Sequence, residues 1–245
     1  SYTADTLRIL HEEHPDDELW LLMGTDMFLT FQYWYKPDEI MRYAGLCAFG
    51  RTEKDGEELF APQRKYLGQR FPGSRIPHVL GTEQTAAALA EKYGADVEKA
   101  RFAALLHDAT KRLSMEEQLA MCEHYHIVLD ELEQHALKLL HAKTGAALAR
   151  DMYGADDEIY NAILWHTTGK ANMTLLEKLI YLADYIEPSR DFDGVEDLRK
   201  VVREDLDKGL EMGLAMTVEE MEERGNPVHH NTLEALDYLR GHSHE

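Results

Sequence analysis

Hydrophobic positions divide the chain into two regions with different periodicity. In residues 1–50, helical and strand patterns alternate: Leu7, Leu10 and His14 recur at helical spacing before Pro15, and the apolar run "ELWLLMG" ends in glycine. "KPDEIMRYAG" then has the pattern of a short helix, and "LCAFG" has that of a second buried strand. Short apolar strands that alternate with helices are typical of parallel sheets, so an α/β structure is predicted here.

The rest of the chain has a different pattern. Residues 51–74 are polar and rich in glycine and proline, which predicts a linker. From residue 75 to residue 245, nearly every segment has helical spacing, and no strand pattern interrupts it. The predicted fold class is therefore mainly α, with an all-α bundle preceded by a small, incomplete α/β segment of Rossmann-like type.

Several of the predicted helices begin with recognisable capping residues. Asp96 precedes the apolar helical run "VEKARFAALLHD" and can accept a hydrogen bond from its first turn. Ser114 with Glu117, and Thr174 with Glu177, have the spacing of capping boxes. The second box opens "LLEKLIYLADYIEP", the most apolar of these helices, and this segment is expected to be buried.

Composition excludes several classes of function. Acidic residues number 46 against 26 basic ones, for a net charge of −20, and no run of lysine and arginine supplies the basic face that a nucleic-acid partner needs. No stretch approaches the roughly 20 apolar residues of a membrane span. Cys47 and Cys122 lie in unrelated contexts, which favours reduced thiols in a cytoplasmic protein.

Histidine and aspartate residues recur among apolar neighbours in the helical region. The set comprises His78, His107, Asp108, His141, His166 and Asp184. An isolated histidine in such a setting, for example His141, is more often a satisfied core residue than a ligand. The complete ordered set, which includes a carboxylate in an apolar helix that needs a cation, indicates a metal site. Imidazole and carboxylate donors without thiolate suit iron, manganese, zinc or a similar ion.

Basic residues lie close to the same segments. Lys111 follows the His-Asp pair, Lys170 follows "HTTG", Arg190 follows "EPS", and Arg75 precedes His78. A first-row metal ion lowers the pKa of a bound water and stabilises charge on a phosphoryl oxygen, and the cations could hold the remaining phosphates. The pattern therefore predicts hydrolysis of a phosphate ester or anhydride.

The order H…HD…D in an all-helical region resembles the HD-domain metal-dependent phosphohydrolase superfamily. "RIPHVLG", "ALLHDATK", "LLHAKTG" and "HTTGKANMTLLEKLIYLADYIEP" are similar to the bacterial bis(5′-nucleosyl)-tetraphosphatase (symmetrical) subfamily, over residues 75–240. The resemblance implies an all-α HD domain that hydrolyses diadenosine tetraphosphate to two ADP. It also implies a bound divalent or trivalent metal, with iron expected and manganese or zinc as alternatives.

The resemblance further implies roles for individual residues. The metal ligands would be His78, His107, Asp108 and Asp184. The catalytic residues would be Asp108, His141, His166 and Asp184, with the aspartates orienting the attacking water and the histidines stabilising the leaving diphosphate. The remaining contacts to the nucleotide would come from Arg75, Ala109, Thr110, Lys111, Thr167, Arg190, Thr232 and Asp237, the last two within a C-terminal segment that closes on the nucleoside.

The first region resembles a different family. "SYTADTLRIL" and "LLMGTDMFLTFQYWYKPDEI" are similar to an internal part of nicotinate mononucleotide adenylyltransferase. That family's H-x-G-H signature and its serine-threonine phosphate motif do not occur in these residues, so we expect no adenylyl transfer. The segment is then a remnant of a fused or truncated gene, or part of a longer chain. It would leave a sheet edge unpaired, which favours a homodimer.

Three alternatives to the hydrolase remain open at the level of sequence. The first is adenylyl transfer in NAD biosynthesis, which an assay with nicotinate mononucleotide and ATP tests. The second is a non-catalytic domain that senses nucleotides, which would leave diadenosine tetraphosphate intact for hours. The third is another activity of the superfamily, such as a nucleotidase or a cyclic-nucleotide phosphodiesterase. The expected ligand is a dinucleoside polyphosphate or ADP, with no nucleic-acid or membrane partner.

Overall fold

A computed structural model describes residues 3–15, 17, 19–24, 31, 34–49 and 76–242. The predicted linker at residues 51–74 and the predicted nucleotide contact Arg75 lie outside these residues. The chain divides into two compact units, Ser1–Gly81 and Thr82–Glu245. The boundary between the units falls within one continuous helix, α3 (Ile76–Tyr93).

The first unit contains a small parallel sheet flanked by helices. Its elements are α1 (Thr3–Glu13), β1 (Trp20–Gly24), α2 (Pro37–Tyr43) and β2 (Gly45–Phe49). The strands pair in parallel, with Trp20 opposite Gly45 and Gly24 opposite Phe49. Its buried apolar residues are Ala4, Leu7, Met23, Phe31, Ile40 and Ala44. The predicted α/β character of this region is confirmed.

The second unit is helical throughout, which confirms the predicted mainly α fold. After α3 come α4 (Val97–Leu106), α5 (Met115–His124), a 3₁₀ turn (Glu133–His135), α6 (Leu137–Tyr153), α7 (Asp157–Leu164), α8 (Leu175–Ile186), α9 (Val195–Glu204), α10 (Leu206–Glu223) and α11 (His230–His242). The predicted cap Asp96 accepts a hydrogen bond from the backbone of Lys99 at 3.0 Å, and both predicted capping boxes form. Within the described residues, no helix combines the length and the apolar character needed to cross a membrane.

Helix α8 is the centre of the bundle. It contacts α4, α7, α9 and α10, and its residues Leu179, Ile180 and Leu182 have no exposed surface. Burial of each such side chain contributes about 1.5–3 kcal/mol relative to exposure, so these residues fix the position of the helix. Asp184 lies near the C-terminal end of α8, and its place relative to α4 is set by this packing.

A close helix–helix contact joins α9 to α10 at Gly209. A Cβ atom added at Gly209 would lie 2.5 Å from Val202 Cγ2 and 2.9 Å from Val202 Cα. The absence of a side chain at this position therefore allows the two backbones to approach. Four residues later, a Cβ at Gly213 would meet its nearest neighbour, Leu182 Cδ2, at 3.6 Å, an ordinary contact distance.

Candidate metal centre

The His-Asp pair lies directly after α4, in a turn that packs against α6. His107 is the C-cap residue of α4, and both His107 and Asp108 have 0% exposed surface. The Thr110 hydroxyl donates to the carbonyl of His141 at 3.0 Å, which ties the turn to α6. A Cβ at Gly145 of α6 would lie 3.4 Å from the His107 carbonyl oxygen, so the helix and the turn are within ordinary contact distance at this position.

Two histidines present the same ring nitrogen to this site. His107 donates its Nδ1–H to the carbonyl of Ala104, and His166 donates its Nδ1–H to the carbonyl of Ile163, each at 2.6 Å. Because a carbonyl only accepts hydrogen bonds, Nδ1 carries the proton in both rings, and Nε2 keeps its lone pair. A hydrogen bond that fixes the tautomer and the ring orientation in this way is typical of histidines that bind metals.

Asp108 is the carboxylate on which the cluster converges. Its Oδ2 lies 3.6 Å from His107 Nε2, and its Oδ1 lies 3.2 Å from His141 Nε2 and 3.7 Å from His166 Nε2. Asp184 Oδ1, at the end of α8, lies 3.8 Å from His107 Nε2. Five side chains from α4, α6, α7 and α8 or from the turns that follow them therefore lie close together: His107, Asp108, His141, His166 and Asp184.

The donor set and its spacing fit a metal ion. Two ligands at about 2.1 Å from an ion, at angles near tetrahedral or octahedral, lie roughly 3.0–3.5 Å apart. Ligand atoms of His107, His166 and Asp184 lie within 4.8 Å of one another, as do those of Asp108, His141 and His166. The fourth predicted ligand, His78, is buried in the first turn of α3. These nitrogen and oxygen donors are therefore candidate ligands for a metal ion.

The ring of His141 carries its proton on a different nitrogen from the rings of His107 and His166. Its Nε2 lies 3.1 Å from His166 Nε2, which carries a lone pair, and 3.2 Å from an oxygen of Asp108. Both neighbours are acceptors, so Nε2 of His141 carries a proton. Burial lowers the pKa of His141 to about 4 and outweighs the opposing effect of Asp108. At neutral pH this side chain is therefore an uncharged hydrogen-bond donor aimed into the site.

Two cations lie at the edge of the cluster. Lys111 Nζ is 2.9 Å from Asp108, and the Arg190 guanidinium contacts both the carboxylate and the carbonyl of Asp184. Arg190 also lies 3.7 Å from the buried Glu187, so two cations face three carboxylates, and an added divalent ion would leave the site with a net positive charge. A local positive charge can attract a polyphosphate even though the net charge of the chain is −20.

The other residues predicted to contact nucleotide occupy varied positions. Ala109 and Thr110 are buried in the turn after Asp108, and the Thr167 hydroxyl lies 3.4 Å from His166 Nε2. Thr232 is buried in the first turn of α11 and donates to the carbonyl of Thr168 at 2.8 Å, while Asp237 is exposed on the same helix. The proposed contacts of these residues with nucleotide stay predictions.

Sequence reasoning did not anticipate a second cluster, around His229. This buried residue has its Nε2 3.0 Å from Asp130 and 3.5 Å from Glu133, and its Nδ1 accepts from the backbone N–H of Asn231 at 3.2 Å. Because Nδ1 accepts a hydrogen bond, a neutral ring carries its proton on Nε2, the nitrogen that faces the two carboxylates. The cluster joins the start of α11 to the turn before α6. The sequence offered only two separate signals, the acidic residues Asp130 and Glu133 and the pair "HH" about a hundred residues later, and hydrophobic periodicity does not connect them.

Comparison with known proteins gives matches of three kinds. A family model described as "HD domain" matches residues 75–189. A protein named symmetrical bis(5′-nucleosyl)-tetraphosphatase from Halalkalibacterium halodurans is 38% identical over 171 residues, which cover 67% of this chain and 88% of that protein. A crystal structure described as a "predicted HD superfamily hydrolase involved in NAD metabolism" from Clostridium acetobutylicum is 42% identical, with a TM-score of 0.72, and the match covers 74% of this chain and 97% of that one.

A further relative spans both regions of the chain. It is a Mycoplasma genitalium protein named probable nicotinate-nucleotide adenylyltransferase/Ap4A hydrolase, 31% identical over 239 residues. The match covers 78% of this chain and 66% of that protein. The two resemblances found in the sequence, one in each region, are thus confirmed together in one relative.

Proposed function

The chain belongs to the HD-domain family of symmetrical bis(5′-nucleosyl)-tetraphosphatases, and on this basis we propose that it hydrolyses diadenosine tetraphosphate to two molecules of ADP. The observation that carries the proposal is the convergence of Asp108 with Nε2 of His107, His141 and His166, each within 3.7 Å. A cluster of imidazoles and carboxylates with neighbouring cations suits the hydrolysis of a phosphoanhydride.

The metal ion is proposed to be held by His78, His107, Asp108 and Asp184. Iron is the proposed metal because of the family resemblance, and manganese and zinc are alternatives, because all three suit nitrogen and oxygen donors without thiolate. When bound, such an ion supplies positive charge beside a phosphoryl oxygen and lowers the pKa of water. We also propose that the protein is cytoplasmic and forms a homodimer. Light scattering after size exclusion measures the molar mass and so tests the oligomeric state.

The remaining groups act on the phosphate bridge. The neutral His141 holds an N–H at Nε2 that can donate to a phosphate oxygen as negative charge develops on the leaving diphosphate. Asp108 and Asp184 accept hydrogen bonds and can orient the attacking water. Lys111 and Arg190 lie at the edge of the cluster, where their charges can bind the outer phosphates of the bridge.

The test combines metal analysis with identification of the products. Protein purified without chelator should contain about one or two first-row metal ions per chain and should release only ADP from diadenosine tetraphosphate. Removal of the metal with a chelator should abolish this activity, and adding back ferrous or manganous ion should restore it. Release of AMP and ATP would contradict symmetrical cleavage. A metal-loaded protein that leaves the substrate intact for hours would favour a nucleotide sensor.

A lysine variant tests the proposed binding of phosphate. Lys111→Ala should raise the KM for diadenosine tetraphosphate about tenfold and change kcat much less, because the lysine would contact phosphate mainly in the ground state. Steady-state kinetics measure both constants. Lys200→Ala is the matched control, since Lys200 is 70% exposed and pairs with Asp197 on the surface of α9. A fall in kcat with KM unchanged would instead assign Lys111 to the chemical step.

A further inference from the structure

A cavity of about 780 Å³ opens beside the metal centre. Its inner end is formed by His166, Asp184 and Arg190, and its outer walls come from the end of α8, the segment before α9 and the C-terminal half of α10. The volume lies within the range of about 300–1,000 Å³ that is usual for small-molecule sites. The proposed chemistry uses only the inner end of this cavity.

Aromatic rings line one wall of the cavity. Tyr185 stacks on the buried Tyr181 with ring centroids 6.2 Å apart and an angle of 15° between the planes. Phe192 meets Tyr185 edge-on, with centroids 5.3 Å apart. Tyr181 is anchored by a hydrogen bond between its hydroxyl and that of Thr217 on α10, at 3.1 Å. The half-buried rings of Tyr185 and Phe192 therefore rest on a fixed support, and such rings are platforms for a nucleobase.

The charges in the cavity change from its inner end to its outer end. The inner end has Arg190 and the proposed metal ligand Asp184. The outer end is lined by Asp193, Glu219, Glu220 and Glu223 and by one cation, Arg224, which pairs with Glu220 at 2.8 Å. The net negative charge disfavours a phosphate group there, and the carboxylates can accept hydrogen bonds from ribose hydroxyls and from an exocyclic amine. The polarity suits a ligand whose phosphates lie inward and whose sugar and base lie outward.

We propose that this aromatic groove, formed by Tyr185, Phe192, Met216 and Glu220, binds one of the two nucleosides of the substrate. The inference rests on the proposed function, because it takes the substrate to be a dinucleoside polyphosphate cut at the centre of its bridge. Such a cut places one nucleoside on each side of the metal centre. The groove leads away from Asp184 along α8 and α10, so it receives the nucleoside on that side and adds to the specificity for a ligand with two nucleosides.

Variants at Phe192 test the stacking surface. Phe192→Leu should raise the KM for diadenosine tetraphosphate about tenfold with kcat little changed, since base–aromatic stacking is lost. Phe192→Tyr retains a ring and should retain the KM. Inorganic tetraphosphate, used as a competitive inhibitor, has no nucleoside, and its inhibition constant should be the same for all three proteins. Tyr160→Leu, which removes an aromatic ring that packs on Arg150 on α6, is the matched control.

The outcomes separate this inference from the proposed function. Two results would contradict nucleoside binding in the groove. One is an unchanged KM in Phe192→Leu, and the other is an equal rise in the KM and in the inhibition constant for tetraphosphate. If the wild type does not cleave diadenosine tetraphosphate, the proposed function fails. Nucleoside binding in the groove is then tested separately, by calorimetry with the β,β′-methylene-bridged analogue of this compound in the presence of Mn²⁺. About tenfold weaker binding of that analogue to Phe192→Leu supports the groove, and equal affinity, or no binding to the wild type, overturns it.

Discussion

Replacement of Asp108 by alanine or asparagine is expected to abolish metal binding and hydrolysis together. Asp108 is fully buried and has its two oxygens within 3.7 Å of three imidazole Nε2 atoms, so no other carboxylate occupies an equivalent position among the described residues. Metal-ion catalysis contributes several kcal/mol of transition-state stabilisation, so we expect the rate of ADP formation to fall about a thousandfold or more. Elemental analysis and the rate of ADP release measure the two effects on the same preparation.

The asparagine variant separates charge from shape, since its side chain has nearly the same volume as that of aspartate. Asp156→Asn is the matched control: Asp156 caps α7 by accepting from the backbone of Ile159, and asparagine is an equally good N-cap. That control should retain full metal content and full activity. An Asp108→Asn protein with wild-type turnover would show that the metal centre has been assigned to the wrong residues. An inactive Asp108→Asn protein with full metal content would show that Asp108 takes part in the chemical step but is not needed to bind the metal.

A Gly209→Ala substitution is expected to destabilise the helical unit by about 2–3 kcal/mol, although alanine has the higher helix propensity. The added Cβ would lie 2.9 Å from Val202 Cα, a backbone atom that cannot move aside as a flexible side chain would. Helices α9 and α10 must then separate, and the packing between them is lost. For a chain of this size, the change corresponds to a fall of roughly 5–10 °C in the melting temperature. Thermal unfolding followed by circular dichroism at 222 nm measures it.

Gly213→Ala supplies the internal control, because it makes the same chemical change one turn later on the same helix. Its added Cβ would meet Leu182 and Tyr181 at 3.6–3.8 Å, which are ordinary contacts. The melting temperature of this variant should be unchanged or slightly higher, since alanine favours the helix by roughly 0.5–1 kcal/mol. Equal effects of the two substitutions would mean that the contact at Gly209 does not govern the α9–α10 packing.

Sequence patterns were sufficient to predict most of the helical fold, because its helix ends depend on local chemistry. The capping boxes at Ser114 and Thr174 form as predicted, since each involves residues only three positions apart. The contact between α9 and α10 was not predictable, because Gly209 carries no local signal of its partner Val202. The start of α11 was not predictable in the same way. The sequence "NTLEALDYL" suggests an N-cap at Asn231, but Asn231 lies within the first turn, because the helix begins at His230.

The candidate site shows the same limit of sequence reasoning. Asp108 and Asp184 could be proposed as site residues from the sequence, because a carboxylate among apolar residues needs a partner. The distinction between His141 and His166 did not follow, because it depends on which backbone carbonyl each ring meets. His166 donates Nδ1–H to Ile163, whereas His141 directs Nε2 towards Asp108. His229 was missed because its partners, Asp130 and Glu133, lie about a hundred residues earlier in the chain.

The contacts between α11 and the segment after His166 affect how the chain folds during translation. Thr232 hydrogen-bonds the carbonyl of Thr168, and the Tyr238 hydroxyl hydrogen-bonds Asn172 at 3.1 Å. The segment that follows His166 is thus fastened by residues that leave the ribosome some 65 positions later. Nascent chains that carry all the proposed ligands but not yet this helix would expose the segment, and premature termination there would leave a substrate for proteases and chaperones.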